Sequence, residues 1–153
     1  MAVLSTVPHY HTIQCKGVVL GQRDSVLVDG GATHNFIDAE MMEKIKIPSE
    51  PFDGFTIVIL GYNTRQCNTW IPKLQVTIRN YTYVDSFYVV DVADTNIVLG
   101  LKWLYSIGEH SVNDQIPEIK FQDSTGALRV VRGQHTYQTG SKLQKCEIYI
   151  EAW

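Results

Sequence analysis

Along most of this chain apolar and polar residues alternate with a period near two, and short turns rich in glycine, asparagine and aspartate interrupt the alternation. This pattern predicts half-buried strands joined by tight connections. Thr12 to Leu20 reads as a first strand, Gly21-Gln22-Arg23-Asp24 as a turn, and Ser25 to Asp29 as the returning strand of a hairpin. Asn35 or Asp38 can cap a short helix that runs to Ile45, ahead of Pro48. Phe55 to Leu60 and Arg65 to Ile71 form a second hairpin around Gly61-Tyr62-Asn63-Thr64. Leu74, Val76 and Ile78 alternate with Gln75, Thr77 and Arg79 in a strand buried on one face, and Tyr81 to Val90 is a further strand. Ile97-Val98-Leu99 is apolar throughout, as in a strand covered on both faces, and Gly100 after it lets another element pass closely. Leu101 to Ile107 is a short helix ended by Gly108, and Glu118 to Gln122 pairs with Leu128 to Arg132 around Asp123-Ser124-Thr125-Gly126. Many short strands with one or two short helices predict an all-β fold, a small barrel.

The bulk properties narrow the field. With 153 residues, 44% of them hydrophobic and 19% charged, the chain can bury a core and has no signature of disorder. The net charge is −3 and no block of Lys or Arg occurs, so nucleic acid and membrane are not expected partners. No apolar run reaches the length of a membrane span, and Met1-Ala2-Val3-Leu4-Ser5 lacks the basic start and apolar length of a secretory signal. Cys15, Cys67 and Cys146 are scattered, odd in number and outside any CxxC, which predicts reduced thiols and an intracellular, cytoplasmic setting. His9 and His11 lie near the start and read as solvated side chains rather than zinc ligands.

One segment carries chemistry. Val26-Leu27-Val28 ends abruptly in Asp29, and Gly30 and Gly31 follow at once. Glycine reaches backbone angles that other residues avoid, so a carboxylate can stand at the end of a rigid strand with N–H groups around it. Asp29-Gly30-Gly31-Ala32-Thr33-His34-Asn35-Phe36-Ile37 resembles the active-site signature of retropepsins from gypsy-type LTR retrotransposons, those of plants especially. Asp94-Thr95-Asn96-Ile97-Val98-Leu99-Gly100-Leu101-Lys102-Trp103-Leu104 is similar to the second signature of the same family, in the same order and at matching spacing. The likeness runs roughly from Tyr10 to Gly133, which places a protease domain at 10–133 and a polar connector with a C-terminal strand or tail at 134–153.

The resemblance implies an all-β fold, a small closed barrel of the acid protease type, acting as a homodimer that hydrolyses peptide bonds in a polyprotein. Such hydrolysis needs two carboxylates that share a proton, one acting as base toward water and the other as acid toward the carbonyl oxygen. Only one Asp-Gly-Gly motif is present, and Asp91 and Asp94 have no glycines behind them, so a second copy of Asp29 must complete the pair. Gly31 then gives the loop its geometry and an N–H to the carboxylate. Ala32 is small where two loops approach, and Thr33 can hydrogen-bond within the loop. His34 is expected to face solvent or cap the helix. Leu60, Gly61, Tyr62 and Asn63 fall at the tip of the flap that closes over substrate, and Ile97, Val98, Leu99 and Gly100 support the active-site loop. Trp103 is expected as a core or interface anchor. The strand at Cys146 to Ile150 either pairs with a partner subunit, as terminal strands do in retropepsins, or is a tail. No metal or organic cofactor is implied.

The chain departs from the family at Gly30, where serine or threonine is usual. That hydroxyl, in the family, bonds across the dimer axis and supports the aspartate. A second reading follows from its loss: a weakly active or inactive retropepsin-fold module that dimerises or binds peptides.

Overall fold

In the computed structural model, which describes residues 12–59, 63–91, 95–113, 115–135 and 148–151, nearly every element is a strand. β1 (Thr12–Val19) and β2 (Gln22–Asp29) form an antiparallel hairpin in which Val19 faces Gln22 and Thr12 faces Asp29. Its turn is only Leu20-Gly21, with φ of 49° and 79°. Positive φ at both turn positions matches the right-handed twist of the flanking strands, so the turn is shorter than the four residues the sequence suggests.

The chain continues through β3 (Phe36–Asp38), α1 (Ala39–Ile45), β4 (Glu50–Ile59), β5 (Asn63–Ile78), β6 (Tyr81–Val90), β7 (Ile97–Leu99) and α2 (Leu101–Ile107). The larger sheet has the order β11-β1-β2-β7-β3-β6-β5-β4-β12, where β11 is Gln134–His135 and β12 is Ile148–Glu151. Val18 also pairs with Thr77, so β1, β2, β7, β3, β6 and β5 form a cycle of neighbours. β8 (His110–Asn113), β9 (Glu118–Gln122) and β10 (Leu128–Arg132) make a separate three-stranded sheet.

Three departures from the sequence reading have simple causes. The two strands expected at 65–71 and 74–78 are one strand, with a register shift between Ile71 and Leu74. Pro72 sits inside that irregularity, where its missing N–H breaks no regular ladder bond. β3 is only three residues long and merges in sequence with the helix that follows. β8 is exposed along its whole length, so it leaves no burial pattern to read. The backbone of β12 pairs antiparallel with β4 of the same chain, Ile148 facing Ile59 and Glu151 facing Thr56.

Two apolar clusters hold the fold. The larger includes Ile13, Val26, Val28, Val76, Phe87, Ile97, Leu99 and Trp103. The smaller joins Ala32 and Phe36 to Ile57, Cys67, Val90 and Val98, and so seats the root of the β4–β5 hairpin against the loop after β2. Trp103 is fully buried, donates from Nε1 to the Tyr81 hydroxyl at 2.9 Å, and meets Phe121 edge-on; it is a core anchor. Among the described residues no helix is long and apolar enough to cross a membrane.

Candidate active site

β2 delivers Asp29 because its last residues, Val26 to Val28, are locked between neighbours. Their side chains are buried, and β7 runs parallel beside them with Val26 facing Ile97 and Val28 facing Leu99. Asn96 holds the entry to this pair: its Oδ1 accepts from the Ser25 N–H at 2.9 Å, and its own N–H donates to the Ser25 carbonyl at 3.2 Å. Thr95 adds a hydroxyl bond to the same carbonyl. The polar start of the second signature therefore sets the register of β7 against β2.

Asp29 is fully buried at the strand end, and its Oδ1 accepts the Gly31 N–H at 2.8 Å. The Ala32 N–H returns to the Asp29 carbonyl at 3.1 Å, closing a tight turn. The loop then lies on Gly100. A Cβ built there would stand 2.4 Å from the His34 carbonyl oxygen and 2.5 Å from that of Ala32, a separation real Cβ atoms do not show. Leu101 N–H donates to the Ala32 carbonyl at 2.7 Å, and Gly100 N–H donates to Asn35 Oδ1 at 3.1 Å. The two signatures thus meet by direct backbone contact. Ile97, Val98 and Leu99 are all fully buried beneath them.

Other residues of the first signature have defined places. Thr33 Oγ1 lies 2.9 Å from His34 Nδ1. His34 is half-buried rather than facing solvent, with its ring 5.6 Å from that of Tyr88 and 6.2 Å from Phe55. Burial, then the nearby Lys102 ammonium, lower its pKa, so it is neutral at neutral pH. Asp38 caps α1 by accepting the Met41 N–H, and Asn35 does not cap it. Asn35 is instead fully buried, and its Nδ2 donates to the Tyr83 hydroxyl at 2.9 Å. Leu60, Gly61, Tyr62 and Asp94 lie outside the described residues, and Asn63 opens β5.

Sequence reasoning missed two features. One is a group of half-buried rings, Phe52, Phe55, Trp70 and Tyr88, at the root of the β4–β5 hairpin. Phe55 meets Tyr88 edge-on at 4.9 Å, and Trp70 stacks on Tyr88 at 5.8 Å. Their aromatic character was visible, but only the fold brings rings of three strands together, with Phe55 and Tyr88 also meeting His34. The other is a groove of about 660 Å³ lined in part by Lys16, Arg23, Arg79 and Arg132, cations separated in sequence and gathered by the sheet. None of the signature residues lines it.

Cys15 and Cys67 are buried, and burial pushes both thiols up to about 11, which leaves them inert as nucleophiles at neutral pH. Among the described residues no cluster of His, Cys, Asp and Glu could hold a metal ion.

Residues 25–126 match the PEG10/RTL1 protease domain family. The chain belongs to that family. Its fold is retropepsin-like: the retroviral protease-like domain of Ddi1 from Leishmania major superposes with a TM-score of 0.58 at 10% identity, covering 86% of this chain and 98% of that one. No curated protein matches the chain in sequence. The matched span of the PEG10/RTL1 protease domain family includes Asp29, the whole loop that follows it, and β7 with Gly100.

Proposed function

We propose that this chain is an aspartic endopeptidase in which Asp29 of two copies forms the catalytic pair. The observation that carries the reading is the placement of Asp29: buried at the end of β2, bonded to the Gly31 N–H, in a loop clamped to Gly100 and Leu101. A single such carboxylate cannot both take a proton from water and give one to the scissile carbonyl. Two of them sharing one proton can, and a two-fold axis at the loop supplies the second. The base-form carboxylate takes a proton from the attacking water while the acid-form carboxylate protonates the carbonyl oxygen; on collapse the first gives its proton to the leaving nitrogen, the second takes one back from the gem-diol, and the C–N bond breaks.

The substrate is an extended polypeptide held under the β4–β5 hairpin, with Leu60, Gly61, Tyr62 and Asn63 at the flap tip. The rings of Phe52, Phe55, Trp70 and Tyr88 offer an apolar wall beside it. The sequence likeness to plant-type gypsy elements supports an intracellular role in processing a retrotransposon polyprotein. The cycle of strands supports the small closed barrel of that type, and residues 10–133 form the catalytic domain on this reading.

Gly30 favours a second reading, a retropepsin-fold module that dimerises or binds peptides without cutting them. Cleavage of a mixed peptide library between about pH 4 and 7, where a shared-proton pair operates, separates the two. Asp29-dependent enzyme gives cleavage that Asp29→Asn abolishes. No cleavage from a demonstrated dimer, with activity arising in Gly30→Ser, establishes the binding module.

A further inference from the structure

Gly30 leaves the loop without the hydroxyl that would brace Asp29, yet the loop is bonded elsewhere in a way that closes on itself. Asn35, the polar side chain at its far end, is fully buried. Its Oδ1 accepts the Gly100 N–H at 3.1 Å, and its Nδ2 donates to the Tyr83 hydroxyl at 2.9 Å. Tyr83 donates in turn to Asp85 Oδ2 at 2.6 Å. Asp85 Oδ1 accepts the Ser86 N–H at 2.7 Å and faces Lys102 Nζ at 2.9 Å. Lys102 also donates to Ser86 Oγ at 2.8 Å. Lys102 belongs to α2, whose first N–H, at Leu101, bonds the Ala32 carbonyl of the same loop.

The bonds therefore run from the loop through Asn35, Tyr83, Asp85 and Lys102 and back to the loop. We propose that Asn35, Tyr83, Asp85 and Lys102 are positioning residues that fix the Asp29 loop, in place of a hydroxyl at position 30. The inference rests on the aspartic protease reading of Asp29.

The chemistry of the circuit suits this role. It ends on an ion pair, and hydrogen bonds to a charged group are shorter and stronger than neutral ones. Asn35 and Tyr83 are buried, so the links nearest the loop are strengthened by the low dielectric around them, whereas the Lys102–Asp85 pair is partly exposed. Burial raises the Asp85 pKa, but Tyr83, Lys102 and the Ser86 N–H outweigh it and hold the carboxylate below its ordinary value. Burial, followed by the bond to Asp85, pushes the Tyr83 phenol up, so it stays protonated and donates. The apolar core already joins β6 to β2 through Phe87, Val26 and Val28, so the polar circuit is not needed merely to hold the sheet. Its contacts with the loop fall at Ala32, which closes the turn after Asp29, and at Asn35, three residues further on.

Tyr83→Phe tests the proposal, because it deletes one oxygen and leaves a ring that still packs edge-on against Phe87. The measurements are kcat and KM on a cleaved peptide and the carboxyl ¹³C titration of Asp29. Arg132→Gln, which breaks a remote pair with Glu118, is the control. Lys102→Met is a second variant at the far end of the circuit. Positioning predicts that Tyr83→Phe lowers kcat about tenfold with KM held within about twofold, and shifts the Asp29 titration. Gly30→Ser should then recover more activity in Tyr83→Phe than in the parent. A Tyr83→Phe protein that loses thermal stability but keeps kcat and the Asp29 titration overturns the proposal. If the parent does not cleave at all, the aspartic protease reading fails separately, and the titration still decides: a shift in Tyr83→Phe and Lys102→Met but not Arg132→Gln sustains positioning, and no shift ends it.

Discussion

At Gly100 the space for a side chain is taken by two carbonyl oxygens of the loop after β2, 2.4 and 2.5 Å from where a Cβ would stand. Neither is the far end of a flexible side chain, so relief requires the loop itself to move. Gly100→Ala is therefore expected to cost about 1–3 kcal/mol or more and to displace Asp29. Chemical denaturation measures the first effect, and loss of peptide cleavage at a temperature where the variant remains folded measures the second. The sequence marks this residue by its place after three buried apolar residues, and the close approach it was expected to allow is there. Asn35 is the opposite case. Its type and position suit a helix cap equally well, and only the fold shows that Asp38 takes the cap while Asn35 turns inward to Gly100 and Tyr83.

Among elements, the β8–β9–β10 sheet joins the core through Ile119, Phe121 and Val131 and carries two bonded carboxylates besides. Asp123 accepts N–H groups from Thr125 and Ala127, as well as Arg129 Nε at 2.7 Å, and shapes the β9–β10 turn. Those bonds, with the Thr125 hydroxyl first, hold its carboxyl well below the usual range. Glu118 takes two N–H groups of Arg132 at 2.7 and 2.9 Å, and that pair first of all lowers its pKa too. A depressed carboxylate binds fewer protons folded than unfolded, so its contribution is complete above the ordinary value near pH 4 and fades as pH falls below it. Thermal midpoints should thus be flat in pH from about 7 to 5 and fall below about pH 4, and the acid fall should be shallower in Asp123→Asn. The turn was legible from Asp123-Ser124-Thr125-Gly126. The hairpin that sets Glu118 opposite Arg132 was legible too; the two bonds from Arg132 to one carboxylate oxygen were not, because side-chain geometry is settled only in the folded sheet.

For the whole molecule, the central expectation is that function belongs to a pair of chains. Each chain carries one Asp29, and the proposed chemistry needs two. Activity per mole should therefore rise with protein concentration and saturate, in step with dimer formed in sedimentation equilibrium. Concentration-independent activity of a monomer would remove the shared-dyad mechanism. The Leu101 bond to Ala32 and the smaller core cluster link the hairpin root, the loop and α2 within one chain.

The chain by itself determined the alternating strands, the two signatures, the short helix α2 and the residue at the end of β2, because period, turn chemistry and motif spacing are local properties. It also placed Tyr81–Val90, Ile97–Leu99 and both strands of the last hairpin at their observed bounds. Tertiary structure alone decided that 63–78 is one bent strand, that β7 lies parallel to β2, and that Asn35, Tyr83, Asp85 and Lys102 form a single circuit. It likewise gathered the rings at the root of the β4–β5 hairpin and the four cations of the groove. Each of these depends on which distant segments become neighbours, and burial of apolar faces, being non-directional, selects neighbours only when the whole sheet has assembled.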